Sequence, residues 1–455
     1  MKSLVPEYRH ESPILAAALE SPILAVALAA VLAGCASSGD EAAPGATGER
    51  PRAFVGATII DGTGGPAIAD GVLIVGSDGR IAGVGAATDV TIPEGAERVD
   101  LSGKFVMPGL INAHGHVGDT RGLEAGQYSR DNVLRQLGLY ARYGVTTVLS
   151  LGGDGEEGVA VRDEQDDVGL DRARLFLAGT IVTGSTEDEA REMVDGNAAL
   201  GADFIKIRVD DNLGTTEKMS PAIYAAVIDR AHELEMPVAA HLFYLEDAKG
   251  LLDANVDFIV HSVRDTDVDD EFARKLIENE VCYTPTLARE VTTFVYEDIP
   301  EFFDDPFFLA EADVAVLEQL RDPARQERIR NSASARAYKT ALVQAQRNVK
   351  TLSDAGVTIA MGTDTGPPGR FQGFYEHVEL ALMAEAGLSP AEILVASTGN
   401  AARCIGRDDI GTIAAGNWAD FLVLEDDPLA DIANVRSIES VWISGNEVPG
   451  RTRAP

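Results

Sequence analysis

Apolar and polar positions divide the chain into three kinds of text. Between Arg52 and about residue 106, short apolar runs over 53–60, 71–75 and 79–84 are separated by turn residues such as Asp61-Gly62-Thr63-Gly64-Gly65. Asp-Gly and Gly-Gly between apolar runs are hairpin signals, so this stretch predicts a small β unit. After residue 107 the pattern becomes buried strands alternating with helices. Strands are expected to end near residues 114, 149, 178, 207, 241, 261, 285 and 363, with a long, mostly helical excursion over 297–354 before the last. Eight strand-helix units of this size predict a (β/α)8 TIM-type barrel with its chemistry at the C-terminal ends of the strands. From Gly411 the short-strand text returns, over 411–413, 419–424 and 438–443. The whole therefore predicts an α/β chain: a barrel over 107–405, and one composite β-sandwich built from 52–106 and 406–455.

The first residues read differently. Lys2 and Arg9 precede an apolar run over 22–33 that is too short and wrongly flanked for a membrane span, and it closes with Leu32-Ala33-Gly34-Cys35. This resembles the lipobox of bacterial lipoproteins, which implies that residues 1–35 end in a cysteine that becomes the lipidated first residue of the mature protein. Ala36, rather than an aspartate, implies the outer membrane over inner-membrane retention. Residues 36–51, rich in Ala, Gly, Ser and Glu, then read as a flexible tether. The expected location is the cell envelope, periplasm or outer membrane. A short core helix with a chance cysteine is the alternative.

Length and composition sharpen this only in places. A chain of 455 residues with 45% apolar and 24% charged residues suits one large domain and a smaller one. With 38 basic and 73 acidic residues the net charge is −35, which argues against nucleic acid or anionic lipid surfaces as partners. The three cysteines, Cys35, Cys282 and Cys404, are so widely spread that neither a disulfide framework nor a CxxC site is expected. A metal, if held, would be held by nitrogen and oxygen.

The polar exceptions inside apolar strands fall at matching places. Val106-Met107-Pro108-Gly109-Leu110-Ile111-Asn112-Ala113-His114-Gly115-His116 ends the first barrel strand in two imidazoles that share one face. Lys206 sits in strand 4, His241 ends strand 5, His261 ends strand 6 and Asp364 ends strand 8. Each has a bland account of its own: a histidine pair in a turn, a satisfied rim histidine, or a turn former between Thr363 and Thr365. Lys206, between Ile205 and Ile207, must be paired, neutral or modified. Six such coincidences at one barrel mouth are a poor account of the set.

The combination resembles the amidohydrolase superfamily. The resemblance rests on Val55-Gly56-Ala57-Thr58-Ile59-Ile60-Asp61-Gly62, on Met107-Pro108-Gly109-Leu110-Ile111-Asn112-Ala113-His114-Gly115-His116, and on Gly411-Thr412-Ile413-Ala414-Ala415-Gly416-Asn417-Trp418-Ala419-Asp420-Phe421. Ala202-Asp203-Phe204-Ile205-Lys206-Ile207 is most similar to the imidazolonepropionase-related branch of Xaa-Pro dipeptidases, or prolidases. That resemblance implies two divalent metal ions, usually zinc, bridged by a carbamate that carbon dioxide forms on Lys206. His114, His116 and Asp364 would hold one ion, His241 and His261 the other. It implies hydrolysis of a C–N amide bond by a metal-bridging hydroxide, with Asp364 as general acid/base. The expected partner is a small amide or dipeptide; a membrane enters only through the lipid anchor, and an oligomer is left open.

Three departures bear on substrate. Arg208-Val209-Asp210-Asp211 follows the lysine where the branch has a Thr-Gly-Gly type stretch, and Ser262-Val263-Arg264-Asp265 follows the strand 6 histidine where a Gly-Ser pair is common. Deaminases of the superfamily carry a Glu three residues after the strand 5 histidine, where this chain has Tyr244. Arg208 and Arg264 could each clamp a substrate carboxylate, with Tyr244 beside them, or could instead pair with Asp210 and Asp265. His377 reads as helix packing or support for the site. The aromatic, acidic segment 302–308 reads as a cover for the mouth or as a packed surface helix. Two rivals stand beside the dipeptidase-like reading: a mononuclear, imidazolonepropionase-type hydrolase of cyclic amides, and a lipid-anchored binding protein without chemistry.

Overall fold

The computed structural model describes residues 50–450, so the expected signal segment, Cys35 and all but the end of the tether lie outside the described residues. Strands β1 (Arg52–Ile59), β2 (Ile68–Val75), β3 (Ile81–Ala86), β4 (Glu97–Asp100) and β5 (Phe105–Pro108) make up the first β segment. Seven parallel strands follow: β6 (Leu110–Gly115), β7 (Val145–Ser150), β8 (Arg174–Leu177), β9 (Ile205–Val209), β10 (Val238–Leu242), β11 (Phe258–Val260) and β12 (Cys282–Thr284). The chain closes with β13 (Phe421–Leu424), β14 (Ile438–Ile443) and β15 (Asn446–Glu447).

The two ends of the chain do pair. β13 runs antiparallel to β5, with Leu422 opposite Met107 and Val423 opposite Val106. The expected sandwich is, by its hydrogen bonds, one eight-stranded sheet in the order β15-β14-β13-β5-β1-β2-β3, with β4 also on β1. The reason lies in β1, which changes neighbour part-way along: residues 52–55 pair with β4 and residues 58–59 with β5. Gly56 makes the change. Its φ is +88°, and a Cβ there would stand 2.7 Å from Ser102 Oγ. Phe54 packs edge-on to Phe421 and Trp442, at 5.1 and 4.9 Å between ring centres, and so fastens both chain ends into one core.

The parallel strands form two sheets, β6-β7-β8 and β12-β11-β10-β9. β6, β7, β8 and β10 are buried along their whole length, as strands covered on both faces are. The eighth expected strand is not regular. Its segment is tied by single bridges instead, Tyr283 to Ile359 on one side and Gly115 to Thr365 on the other. Ala113 N–H donates to Met361 O at 2.9 Å, and Ala360 N–H to Tyr283 O at 3.0 Å. The ladder breaks because Asp364 takes a left-handed φ of +58°. One more bridge, Val182 to Ile207, links the far ends of the two sheets.

The cysteines overturn an expectation. Cys282, at the start of β12, and Cys404, at the end of the helix Gly399–Cys404, form a disulfide with 5.8 Å between Cα atoms across 122 residues of chain. Separation along the chain is uninformative once parallel strands and the last helix are packed side by side. Closing so long a loop constrains the unfolded chain strongly. The Cys282→Ser/Cys404→Ser double variant is expected to lose about 2–5 kcal/mol of stability, read from its urea midpoint, and a midpoint within error of the parent would refute that.

The excursion over 297–354 is helical as expected and ends in the long helix Ala333–Asp354. Its aromatics do not form a free cover. Phe303 and Phe308 are buried, and the Phe302 and Phe308 rings lie 5.1 and 4.7 Å from Phe374 on the helix Phe374–Glu385. His377, on the same helix, packs with its Nε2 2.8 Å from Tyr143 O. Among the described residues, no helix is long and apolar enough to cross a membrane.

Candidate active site

The six residues singled out on the strands converge. His114 Nε2 lies 3.4 Å from Lys206 Nζ and 3.8 Å from Asp364 Oδ1, and His116 Nε2 is 2.9 Å from the same oxygen. The His261 ring stands 4.6 Å from His114 and 4.1 Å from His241, centre to centre. Ligand atoms of His114, His116 and Asp364 all lie within 4.8 Å of one another, close enough to share one ion. Two of the six are held in backbone conformations that only a supporting structure sustains: His261 at φ +79° and Asp364 at φ +58°.

Neighbours decide which nitrogen each ring presents. His116 Nδ1 lies 3.0 Å from Gly152 O, and a carbonyl can only accept, so Nδ1 carries a proton and Nε2 is the nitrogen turned to Asp364. His261 Nδ1 lies 2.6 Å from Thr286 Oγ1, which leaves its Nε2. His241 engages Asp210 through Nε2 at 2.8 Å, which leaves Nδ1. Burial, with the positive neighbours, drives His114 and His261 well below the ordinary imidazole range. It drives His241 down to about 3 against the opposing pull of Asp210. Neutral rings keep the lone pairs that a metal needs.

Lys206 is 3% exposed, and burial pushes its ammonium down to about 7, with Asp364 pulling it back and Arg208 adding to the push. Burial opposes charge on His116 as well, but Asp364 outweighs it and raises that ring. Asp364 is itself pushed up by burial, yet Arg370 and His116 outweigh that and hold it well below the usual carboxylate range. Three imidazoles held neutral, a fourth turned to one ionised carboxylate, and an amine near neutrality make a donor set suited to a divalent cation.

β6 and the segment that carries Asp364 are locked together beneath these groups. Glu376 Oε1 accepts from Asn112 Nδ2 at 2.6 Å and from the hydroxyls of Thr363 and Thr365 at 2.8 Å each. Asn112 Oδ1 in turn accepts the N–H of His114 at 3.0 Å. One buried carboxyl therefore grips the residue two before His114 and both neighbours of Asp364. It lies next to His377 on a helix that buries a second acid, Glu379, three residues on, and acids there were the visible signal that was passed over.

The expected substrate side chains divide. Arg208 projects from the same face of β9 as Lys206, nearer the mouth, with 43% of its side chain exposed and Asp210 at 3.7 Å. Arg264 is buried instead. It faces Glu290 at 3.0 Å rather than Asp265, donates to the carbonyls of Leu242 and Ser262, and stacks on Phe243 at 4.6 Å. The expected clamp is therefore a buried ion pair. Tyr244 is half-buried, and its hydroxyl donates to Asp211 at 2.8 Å. Sequence reading passed over Asp210, Arg289 and Arg370 as parts of the site. The latter two face Asp364 Oδ2, Arg289 Nε at 3.8 Å and Arg370 Nη1 at 2.5 Å.

Residues 105–448 match the Amidohydrolase family. An imidazolonepropionase of Streptomyces avermitilis is 23% identical over 402 residues, covering 84% of this chain and 87% of its own. A crystal structure from Bifidobacterium longum, provisionally named a prolidase, superposes with a TM-score of 0.70 at 28% identity, over 89% of this chain and 96% of that one. A Xaa-Pro dipeptidase crystallised with methionine in its active site has the same fold, with a TM-score of 0.70 at 21% identity over 88% of this chain and all of that one. With the family match running from β5 to the last strands, the chain belongs to the amidohydrolase family and is a hydrolase acting on C–N bonds.

Proposed function

We propose that this hydrolase cleaves the C–N amide bond of dipeptides or N-acyl amino acids with two divalent metal ions, zinc by donor type, and a carbamate on Lys206. The observation that carries the proposal is Lys206 itself: a buried amine 3.4 Å from an imidazole nitrogen, among rings that burial keeps neutral. An unmodified lysine is a poor fit among metal donors. A carbamate would give the cluster the second negative charge it lacks. In this reading the two parallel sheets are two arcs of one (β/α)8 barrel, closed by the single bridges.

His114, His116 and Asp364 would hold one ion, His241 and His261 the other, and the Lys206 carbamate both. Bound there, the ions would supply a water acidic near neutral pH and a Lewis acid for the scissile carbonyl. The chain's own residues do the rest. Asp364 divides its oxygens, with Oδ1 towards the histidines and Oδ2 towards Arg370, so one carboxylate can touch the ligand cluster and still move a proton. That proton passes to the leaving nitrogen, which an amide needs before it departs. Arg208, at the rim above Lys206, supplies positive charge where a substrate carboxylate enters.

One observation favours a second reading, a mononuclear hydrolase of cyclic amides. Among the described residues, the group whose atoms already share one ion's reach is His114, His116 and Asp364. The proposal further places the protein in the cell envelope, lipidated at Cys35. The disulfide supports this, because such bonds persist in oxidising compartments.

Metal analysis of purified protein, together with a panel of dipeptides, N-acyl amino acids and cyclic amides, tests the function. Two ions per chain and turnover of linear amides, abolished by chelation and restored by zinc, are expected. One ion with turnover of cyclic amides alone would establish the second reading. Metal binding with no turnover of any amide would favour a binding protein.

A further inference from the structure

The turn after β12 is buried, and its backbone is held from several sides. Thr286, a β-branched residue, sits at φ +49°, a conformation that must be sustained from outside. Three contacts sustain it. Thr286 Oγ1 meets His261 Nδ1 at 2.6 Å; the Glu379 carboxyl accepts the N–H groups of Leu287 and Ala288 at 2.8 and 2.6 Å; and Glu290 faces Arg264 at 3.0 Å. Every one of these groups is buried.

What this framework aims is Arg289, on the helix Leu287–Thr292. The side chain is 7% exposed and stacks on the Tyr338 ring at 4.4 Å. Nη1 lies 3.1 Å from Glu290 Oε2, and Nη2 donates to Tyr338 Oη at 3.2 Å. Nε alone is buried without a hydrogen-bond partner, 3.8 Å from Asp364 Oδ2. Asp364 does not need it as counter-ion, because Arg370 already donates to the same oxygen. A guanidinium pinned at both ends, with its third donor aimed at the reacting groups, is arranged for something not made of protein.

The chemistry of an N-acyl amino acid says what that is. The carbon of its carboxylate is two bonds from the leaving nitrogen. A group that receives the carboxylate must therefore stand within a few ångströms of the group that protonates that nitrogen. Arg289 Nε stands so beside Asp364. Resting on the amide-hydrolase reading above, we infer that Arg289 determines specificity by receiving the carboxylate of the amino acid that leaves, so that substrates end in a free α-carboxylate. Arg208 at the rim then serves entry, and Arg289 serves the bound state.

The test compares zinc-loaded protein on N-acetyl-L-leucine and on N-acetyl-L-leucinamide. The parent is expected to favour the free acid by about a hundredfold in kcat/KM, since a site built around a polar partner rejects the analogue that lacks it. Arg289→Lys, which keeps the charge and loses the Nε–H donor, and Arg289→Gln are expected to cut the acid-to-carboxamide ratio by about tenfold or more. A ratio near one in the parent, or a ratio that neither variant changes, overturns the inference. Should neither variant fold, the parent's ratio decides. Should the parent turn over no linear amide, the amide-hydrolase reading fails separately. Calorimetry of the same protein with L-leucine against L-leucinamide then decides for Arg289: tighter binding of the acid supports it, and equal affinities end it.

Discussion

Replacing Asp364 by Asn is expected to leave metal bound while kcat for the amide substrate falls by about 10³-fold, within the range that a positioned proton carrier contributes. Asparagine keeps the shape and one oxygen for the histidine side, where Oδ1 now stands 2.9 Å from His116 Nε2. It loses the proton-carrying oxygen that faces Arg370 and the negative charge between Arg370 and Arg289. Five other donors remain, so zinc content should stay close to that of the parent. That separates a chemical defect from a binding defect. Turnover within tenfold of the parent, with metal in place, would show that the proton travels by another route. The substitution also strands two cations around a neutral side chain, so a modest loss of thermal stability should accompany the kinetic loss.

Lys206→Ala should do the opposite and act on metal first. Lys206 projects into the gap beside His114, and its removal takes away the one donor that could bridge both halves of the ligand set. Zinc content is expected to fall from two ions per chain towards one or none, and turnover to fall by more than about a hundredfold. Because alanine leaves room where the side chain stands and where the proposed carbamate would stand, acetate or propionate in the buffer should restore part of both. A short carboxylate can take the place of the lost bridging anion. A variant that keeps two ions and full activity would remove the carbamate from the account. One that loses activity, keeps its metal and ignores added carboxylate would recast Lys206 as a structural amine.

Much of the site was legible in the text because strand geometry is periodic. Side chains two apart share a face, so His114 and His116 could be paired on paper, and Lys206 stood out as a charge within an apolar run. The arginines escaped for the opposite reason. Arg264 and Arg370 lie in connections and Arg289 on a helix of six residues, where no strand period says which way a long side chain turns. Arg264, which looked free to clamp substrate, was claimed by Glu290, while Arg289 and Arg370 reached Asp364. The disulfide escaped because cysteines 122 residues apart carry no local signature.

The sequence alone determined the kinds of element, their order and which polar side chains the strands carry, since these follow from local hydrophobic period, turn chemistry and side-chain type. Tertiary structure decided the rest. It merged the expected sandwich into one sheet at Gly56, broke the eighth strand where Asp364 turns left-handed, and chose which ring nitrogens and which guanidiniums face the site. These depend on contacts between residues far apart in the chain. Such contacts exist only once loop entropy has been overcome and the strands have closed on one another, so no window of sequence contains them.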